Sequence, residues 1–325
     1  MHTGLPPALR SSVDALCHGV SGRLLAERAE ALSAGYRAGA NSKSALLDQT
    51  SLLAYLLTRM PATYAATNAA LAAITERLAD FSPTSLLDLG AGPGTAAWAA
   101  AEHFLQLQTF TLVEALPAFR ELAHSLIIAS PVPALAAADI REGRLPACGD
   151  SLPAADLVIA SYLLSELDEQ KFASSIEAAW RATQGVLLLV EPGTPRGYQL
   201  ILAARTLLIA AGAEPVAPCP SAAGCPIISP DWCHFSVRLP RLKAHMRAKS
   251  ADLPYEDEKF AYLAVRRPGN ALAEVSRIIS PPKVVKHQVQ LRLCGPAGLA
   301  ETTIQSRDKS LFTMARKASW GGTWK

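Results

Sequence analysis

The sequence predicts an α/β protein built on a Rossmann-like, doubly wound sheet, with a helical region before the sheet and a small basic β module after it. Two observations predict this fold. From residue 82 onward, short apolar segments alternate with segments of helical pattern, and a glycine-rich turn directly follows the first apolar segment. The chain has 325 residues, of which 50% are hydrophobic and 18% charged. This is enough for one large domain with appendages.

The first 80 residues are predicted to be helical. From Ala45 to Arg59 leucines recur at helical spacing, and the pattern ends before Pro61. A second helical pattern runs from Ala65 to Leu78. Because no group of catalytic side chains occurs here, we interpret residues 1–80 as a helical scaffold.

Composition argues against a membrane partner and against export. No apolar run reaches the 18 residues of a membrane span; the most apolar stretch, Leu200–Gly212, contains Arg205 and is predicted to be a buried helix. Met1–Arg10 lacks the apolar run of a secretory signal. A mitochondrial transit peptide should be nearly free of acids, but the first 30 residues include Asp14, Glu27 and Glu30. Bacterial cytoplasm is therefore expected rather than the mitochondrial matrix.

A central domain is predicted over residues 81–268. Its predicted parallel strands are Ser85–Leu89, Thr109–Val113, Asp156–Ala160 and Gly185–Val190. The predicted helices are Ala96–Phe104, Pro117–Ile128, Glu169–Thr183 and residues 197–212. An antiparallel pair, Cys233–Leu239 and Phe260–Arg266, is expected to complete the sheet.

The glycine-rich turn follows the first strand and contains Gly90, Gly92 and Gly94 after Asp88. Glycine lets the backbone approach a ligand, and the following helix offers its amino-terminal N–H groups to an anion. The dinucleotide fingerprint G-x-G-x-x-G would need glycine at Thr95. The pattern G-x-G-x-G instead resembles the first motif of class I S-adenosylmethionine-dependent methyltransferases.

Two further acids fit the same cofactor. Glu114 ends the second strand, 20 residues after Gly94, where a carboxylate can accept both ribose hydroxyls. Asp139 falls where such folds place an acid against the adenine amine. Together these residues favour S-adenosylmethionine over NAD as the bound cofactor. A structural Rossmann domain with a degenerate pocket is the alternative.

No catalytic base is predicted. The Asn/Asp-Pro-Pro-Tyr motif of amino-group methyltransferases does not follow the strand Asp156–Ala160, where Ala160-Ser161-Tyr162-Leu163 stands instead. No Pro-Cys nucleophile for pyrimidine C5 stands at this position either. Tyr162 and Glu166 are candidates to face a substrate, although polar residues at a helix start are often caps.

The most specific feature of the chain is a set of four cysteines: Cys219, Cys225, Cys233 and Cys294. Thiolates are soft ligands, and four of them suit an iron–sulfur cluster or a tetrahedral zinc ion. The spacing matches neither paired C-x-x-C motifs nor ferredoxin runs. Small buried hydrophobes and disulfides are the alternatives, and we assign no role to Cys17 and Cys148.

Basic residues flank the cysteines. Residues 276–325 contain nine Lys/Arg against Glu301 and Asp308, a local charge of 9 − 2 = +7, although the whole chain carries only +3. Arg238–Lys249 adds five bases and no acid. The two regions suit contact with a phosphate backbone; the alternative is a solubilising basic tail.

Four runs of sequence resemble one family. They are LLDLGAGPGTAAWAA (86–100), LVEPGTPRG (189–197), residues 217–235 and ARKASWGGTW (315–324). They resemble the methyltransferase-like protein family of the mitochondrial small ribosomal subunit and its bacterial relatives. The resemblance covers nearly the whole chain from about residue 45, but the C-terminal run lacks the family's acid after Trp-Gly, since Gly322 stands there.

The resemblance implies a methyltransferase fold that acts in assembly of, or translation by, the small ribosomal subunit, with ribosomal RNA rather than DNA as partner. It also implies a [4Fe-4S] cluster on the four cysteines, with zinc as the alternative metal. Three functions follow: an S-adenosylmethionine-dependent methyltransferase acting on or with this RNA, a non-catalytic assembly factor, or a zinc-stabilised small-molecule methyltransferase.

The cysteines divide between two predicted units. Three lie in a loop at 215–235 of the central domain, and Cys294 lies in a basic β module at 275–325. Lys283–Cys294 alternates like a strand and begins this module. A metal centre would therefore tie the module to the domain and contribute folding energy that a small unit lacks.

Overall fold

The computed structural model of the chain describes residues 4–37, 48–146, 151–241, 245–246 and 252–324. Cys148 and residues 45–47, the start of one predicted helix, lie outside these ranges. None of the helices within them combines the length and apolarity needed to cross a bilayer.

The amino-terminal region is helical, as predicted. Its helices are α1 (Pro7–Leu16), α2 (Gly22–Arg37), α3 (Gln49–Thr58) and α4 (Met60–Arg77). Helix α3 begins where the side chain of Asp48 accepts a hydrogen bond of 2.8 Å from the Ser51 N–H, which satisfies an amide that the helix leaves open. Helix α4 is buried along most of its length.

The central sheet has the strand order of class I methyltransferases, β3-β2-β1-β4-β5-β8-β6. Its strands are β1 (Ser85–Leu89), β2 (Thr109–Glu114), β3 (Asp139–Glu142), β4 (Ala155–Ser161), β5 (Thr183–Pro192), β6 (Glu214–Ala217), β7 (Phe235–Pro240) and β8 (Tyr255–Arg266). Strands β1 to β5 pair in parallel, and β8 is antiparallel to β5, β6 and β7. The predicted fold class is confirmed.

The predicted antiparallel pair is present, with Phe235 of β7 opposite Phe260 of β8. Strand β8 begins at Tyr255, five residues before the expected start. Strands β3 and β6 were not predicted, because four residues are too few for a visible alternation of apolar side chains.

Helices cover both faces of the sheet. They are α5 (Thr95–His103), α6 (Pro117–Ile127), α7 (Pro133–Ala136), α8 (Phe172–Ala182) and α9 (Pro195–Ala210). Alternate residues of β5 serve the two faces: Val186 and Leu188 pack with α4 and α5, whereas Leu187 and Leu189 pack with α8 and α9. Each such buried aliphatic side chain contributes about 1.5–3 kcal/mol.

The carboxyl-terminal module is a second sheet with one helix. Its elements are β9 (Ser276–Ile278), β10 (Lys283–Val285), β11 (Gln288–Gly295), β12 (Gly298–Gln305), α10 (Lys309–Lys317) and β13 (Thr323–Trp324). The predicted single strand Lys283–Cys294 is instead a hairpin in which Val284 opposes Val289. A turn of two residues leaves the alternation intact, so the sequence pattern runs through it.

The module is joined to the domain by a buried arginine. Arg277 is 1% exposed, and its Nη1 lies 3.1 Å from the Glu76 carboxylate of α4 and donates to the Gly321 carbonyl at 2.7 Å. Beside it, Arg77 donates to the Ala273 carbonyl of the connecting segment at 2.7 Å. The two units are thus linked by charged hydrogen bonds as well as by the chain.

Candidate functional site

One cavity, of about 220 Å³, lies at the carboxyl ends of β1, β2 and β4. This is the edge at which open α/β sheets bind their ligands. The strand ends contribute Gly90, Glu114 and Ser161, and α3 and α4 contribute Tyr55 and Thr63 to the opposite wall. The amino-terminal helices therefore complete the cavity.

The glycine loop after β1 forms the floor of this cavity. Gly90, Gly92 and Gly94 all have left-handed backbone, with φ of 65°, 54° and 81°. Gly94 stands at the start of α5, where a Cβ atom would lie 2.9 Å from the Ile127 side chain. Gly92 faces open space, with no atom within 4 Å of a Cβ placed there. Gly94 is thus needed for packing, and Gly92 keeps the cavity open.

Glu114 is locked to the glycine loop. It is 7% exposed; its Oε2 accepts from the Gly92 N–H at 2.8 Å, and its Oε1 accepts from the Leu116 N–H at 2.7 Å. Each carboxylate oxygen has further lone pairs to offer. The arrangement places a fixed hydrogen-bond acceptor at the cavity wall, and its contact with ribose hydroxyls stays a prediction.

Asp88 is close to the cavity but does not line it. Its side chain is 1% exposed. Burial raises the pKa of Asp88 to about 7, with the charge of Glu114 adding to the effect and a backbone bond from Ala97 opposing it. Asp88 is therefore placed to hold the start of α5 beneath the loop rather than to touch a ligand.

Asp139 lies away from the cavity. It is the first residue of β3, at the strand end opposite the cavity, and its carboxylate forms an exposed ion pair of 2.6 Å with Arg141. The residues after β3, Gly143 to Leu145, line the cavity instead. This placement does not support the expected contact with adenine. The sequence has no pattern that reveals the four-residue strand β3, so it could not show at which end of the strand Asp139 lies.

Tyr162 and Glu166 both line the cavity. Tyr162 follows β4 with φ of 60°, a conformation that costs a bulky residue about 1–3 kcal/mol and is typical of functional sites. Its hydroxyl donates to Glu258 of β8 at 2.8 Å. Burial, and secondarily the Glu258 charge, raise the pKa of Tyr162 well above its usual value. The hydroxyl is thus held by a neighbouring strand.

Sequence reasoning missed Glu191, which is fully buried at the end of β5. Its Oε1 accepts from the Leu164 N–H at 2.7 Å and so fixes the segment after β4 that lines the cavity. Burial raises the pKa of Glu191 to about 8. A charged residue at the end of an apolar strand was the available signal.

A second cavity, of about 280 Å³, is lined by all four cysteines. Cys219 and Cys225 lie in the loop after β6, Cys233 lies two residues before β7, and Cys294 lies in β11 of the module. Separate segments from two units thus converge on one site. The structure brings together the four residues that the sequence singled out.

Helix α9 holds the cysteine loop. Arg205, 7% exposed, donates to the carbonyls of Ser221 at 2.9 Å and Ala223 at 2.6 Å. The Tyr198 hydroxyl lies 3.3 Å from the Cys225 sulfur. Arg205 and Arg277 both line the cavity, so two buried cations face the thiols.

The thiols lie near enough to influence one another. Burial raises the pKa of Cys294 to about 11, with Cys219 and Cys225 adding to the effect. Burial, and after it the charges of the other three cysteines, also raise the pKa of Cys233 well above its usual value. The protein alone therefore favours the neutral forms of Cys219, Cys233 and Cys294, and a bound metal centre would favour the thiolates.

The cavity does not have the geometry of a single-ion site. Within the described ranges, no group of three or more His, Cys, Asp or Glu side chains is placed to hold one metal ion.

The fold and the glycine-loop cavity define a class I methyltransferase-like protein, and comparison of its sequence with known protein families identifies its family. Residues 49–325 match the family described as mitochondrial small ribosomal subunit Rsm22. The chain belongs to this family.

Two relatives illustrate the family. The chain is 28% identical over 291 residues to the human ribosome assembly protein METTL17, mitochondrial, covering 83% of this chain and 61% of that protein. It is 27% identical over 326 residues to Rsm22-cox11 tandem protein 2, mitochondrial, of Schizosaccharomyces pombe, covering 83% and 42%. The chain thus spans about six-tenths or less of the length of these relatives.

Solved methyltransferase structures are more distantly similar. An O-methyltransferase family protein from Burkholderia thailandensis has a TM-score of 0.44 at 17% identity, covering 69% of this chain and 62% of that chain. Magnesium protoporphyrin IX methyltransferase from Synechocystis has a TM-score of 0.41 at 13% identity, covering 64% and 80%.

Proposed function

We propose that this protein is an assembly factor of the small ribosomal subunit that binds S-adenosylmethionine and carries a [4Fe-4S] cluster. The observation that carries the proposal is the pair of cavities, one at the glycine loop and one at the four cysteines, both lined within residues 49–325. The family match supports the small subunit as partner. Both relatives carry the word mitochondrial in their names, so the bacterial cytoplasmic location expected from the sequence stays a prediction.

The first cavity fits S-adenosylmethionine by its donor set. The backbone at Gly90 and Gly92 would accommodate the cofactor, and the Glu114 carboxylate would accept its ribose hydroxyls. When bound, the cofactor supplies an electrophilic methyl group. The chain's own residues contribute a rigid acceptor and a wall formed by α3 and α4.

The second cavity fits an iron–sulfur cluster by charge as well as by ligands. A [4Fe-4S] centre with four thiolates carries net negative charge, and the buried Arg205 and Arg277 would offset it. Cys294 would then hold the module against the cysteine loop. The cluster is proposed as a structural staple, with zinc as the alternative metal.

Among the described residues, the proposed RNA surface is narrower than the two basic regions of the sequence; Lys243, Arg247 and Lys249 lie outside the described ranges. Arg238 makes a two-point ion pair with Asp257 at 2.7 and 2.8 Å. Arg277 is buried, and Arg292 is 2.6 Å from Asp231. These side chains are engaged within the protein and would contribute little to phosphate contacts.

Six bases of the module remain exposed and form no ion pair within the described chain: Lys283, Lys286, Arg307, Lys309, Arg316 and Lys317. They surround the β10–β11 turn and helix α10, since the Ser306 N–H bonds to the His287 carbonyl at 2.8 Å and brings the two turns together. We assign the phosphate contacts to this surface, named here the module surface.

Cosedimentation with purified small subunits tests the partner. Binding at low salt should fall steeply as salt rises, and Lys286→Glu with Arg307→Glu should reduce both affinity and salt slope. Arg238→Glu serves as the control, because that side chain is already paired. Binding that does not respond to salt, or no cosedimentation at all, would favour the small-molecule methyltransferase.

Protein purified without air tests the metal. A cluster gives a brown protein with broad visible absorbance and acid-labile sulfide. A colourless protein with one stoichiometric zinc would refute the cluster and leave the partner assignment intact.

Methyl transfer to small-subunit RNA is the first candidate activity, and a non-catalytic role is the second. The second is favoured by Tyr162, whose hydroxyl is held by Glu258 at the place where a catalytic group would meet the acceptor. Incubation of immature small subunits with radiolabelled S-adenosylmethionine separates them. Incorporation that Gly92→Arg abolishes would establish transfer; cofactor binding without incorporation would establish the scaffold role.

A further inference from the structure

A third cavity, of about 470 Å³, lies at the edge of the sheet opposite the glycine loop. It forms where α4 ends, β5 begins and β8 leads into the segment that connects to the module. Three arginines line it: Arg77, Arg266 and Arg267. It shares no lining residue with the glycine-loop cavity or the cysteine cavity.

The three guanidinium groups are held in place by the protein. Arg267 donates to the Thr183 carbonyl at 2.8 Å and the Trp180 carbonyl at 2.7 Å, and it stacks 4.0 Å above the Trp180 ring. Arg266 pairs with Glu214 at 2.8 Å and also bonds to the Asn270 carbonyl. The groups are therefore oriented before any ligand arrives.

These bonds all use the same side of each guanidinium. Arg266 and Arg267 donate through Nε and Nη2, and Arg77 donates through Nη2 to the Ala273 carbonyl. Across the described part of the chain, the Nη1 of each arginine makes no hydrogen bond. Donors fixed in position but unused are what an anion-binding site requires.

The charge at this cavity is positive. Asp80 is the sole carboxylate among the lining residues that the structure describes, and Glu214 is engaged by Arg266. The pKa of Arg77 is lowered, first by burial and then by the nearby charges of Arg277 and Arg266, against the opposing charge of Glu76. Bound negative charge would relieve this repulsion.

The remaining lining residues suit a nucleotide. Gln184 and Asn270 place exposed amide groups beside the arginines, and the Phe81 ring adds an apolar surface. Amides can hydrogen-bond base edges, and arginine Nη atoms bind phosphate oxygens. Inorganic phosphate alone would leave most of the cavity empty.

We propose that this cavity binds the phosphate of a nucleotide, either a free nucleotide or one nucleotide of an RNA strand. The Nη1 atoms of Arg77 and Arg266 contact the phosphate, Arg267 adds positive charge among the lining residues, and the Gln184 and Asn270 amides contact the base. The site requires neither the cofactor nor the cluster, so it stands or falls apart from the proposed function.

Titration of the full chain with UDP, in saturating S-adenosylmethionine, tests the site. UDP lacks adenine, and the cofactor keeps it out of the glycine-loop cavity. Gln184→Glu adds a negative charge beside the arginines, so it should weaken UDP binding at least about tenfold. The Gln184 side chain is exposed and makes no hydrogen bond within the described chain, so the melting temperature should not change. Gln199→Glu, exposed on α9, is the matched control and should bind as wild type.

Asp80→Asn gives the opposite arm, because it removes the repelling carboxylate. With pyrophosphate as the probe, this variant should bind about threefold to tenfold tighter than wild type. Absence of saturable UDP binding by wild type, or wild-type binding by Gln184→Glu, would overturn the proposal. Competition with UDP by a ten-nucleotide RNA would identify RNA as the source of the phosphate, and UDP binding without such competition would identify a free nucleotide.

Discussion

The glycine-loop cavity and the cysteine cavity differ in how complete they are without a ligand. At the glycine loop, Glu114 already has both oxygens bonded to the backbone, and Gly90 and Gly94 pack closely against the Leu163 and Ile127 side chains. At the cysteines, burial and, after it, the neighbouring thiolate charges raise the pKa values of Cys233 and Cys294. The first cavity is therefore preorganised by hydrogen bonds, whereas in the second the proposed metal centre would stabilise the thiolates.

The largest expected effect is loss of a cysteine ligand. Cys225→Ser should remove the visible absorbance and lower the melting temperature by on the order of 10 °C, because metal binding contributes folding energy to the module. Differential scanning calorimetry measures the change, with Cys17→Ser as the control. Cofactor binding should fall much less than stability. An unchanged melting temperature in a colourless Cys225→Ser protein would refute the staple.

The junction arginine comes next. Arg277→Met removes the donor to Glu76 Oε2 and to the Gly321 carbonyl, while Glu76 Oε1 still accepts from the Thr323 hydroxyl, so unfolding free energy should fall by about 2–3 kcal/mol. Urea unfolding measures the loss, and hydrogen exchange should show it within residues 276–324. Arg292→Met is the matched control: its pair with Asp231 is partly exposed, and its loss should cost under about 1 kcal/mol. Equal losses in the two variants would contradict a special role for Arg277.

At the glycine-loop cavity the expected effect is on binding rather than on stability. Glu114→Gln replaces one acceptor oxygen with an amide that cannot accept from a backbone N–H, so affinity for S-adenosylmethionine should fall about tenfold to a hundredfold. Isothermal titration measures the affinity, with the exposed Glu142→Gln as the control. A loss of melting temperature as large as that of Cys225→Ser would erase the contrast between the cavities.

The smallest expected effect is a pH dependence of stability. Because the pKa of Glu191 is raised by burial from 4.5 to about 8, the folded protein retains a proton there that the unfolded chain releases. Between pH 4.5 and 8 the folded state thus binds more protons, and stability falls as pH rises. Glu191→Gln should flatten this part of the curve of melting temperature against pH by a few degrees. A variant curve parallel to that of wild type would show that Glu191 does not titrate in this range.

The predictable parts of the structure are those in which neighbouring residues carry the signal. The strand, glycine turn and helix around Gly90 to Gly94 lie in one continuous segment. Strand β2 and Glu114, which ends it, form another. The placement of Asp139 does not support its expected role, and the sequence could not show this because the four-residue strand β3 has no readable pattern. The hairpin with its turn at Lys286-His287 was predicted as a single strand, because a two-residue turn leaves the alternation of apolar side chains intact.

The sequence by itself determined the class of fold, the glycine loop and the identity of the four cysteines, because apolar periodicity and residue chemistry are local properties. Only the tertiary structure decided that the cysteines share a cavity with Arg205 and Arg277, that Glu258 holds Tyr162, and that several basic residues are engaged inside the protein. These facts depend on contacts between residues far apart in the chain. Such contacts are set by how helices and strands pack, and a single sequence does not display that packing.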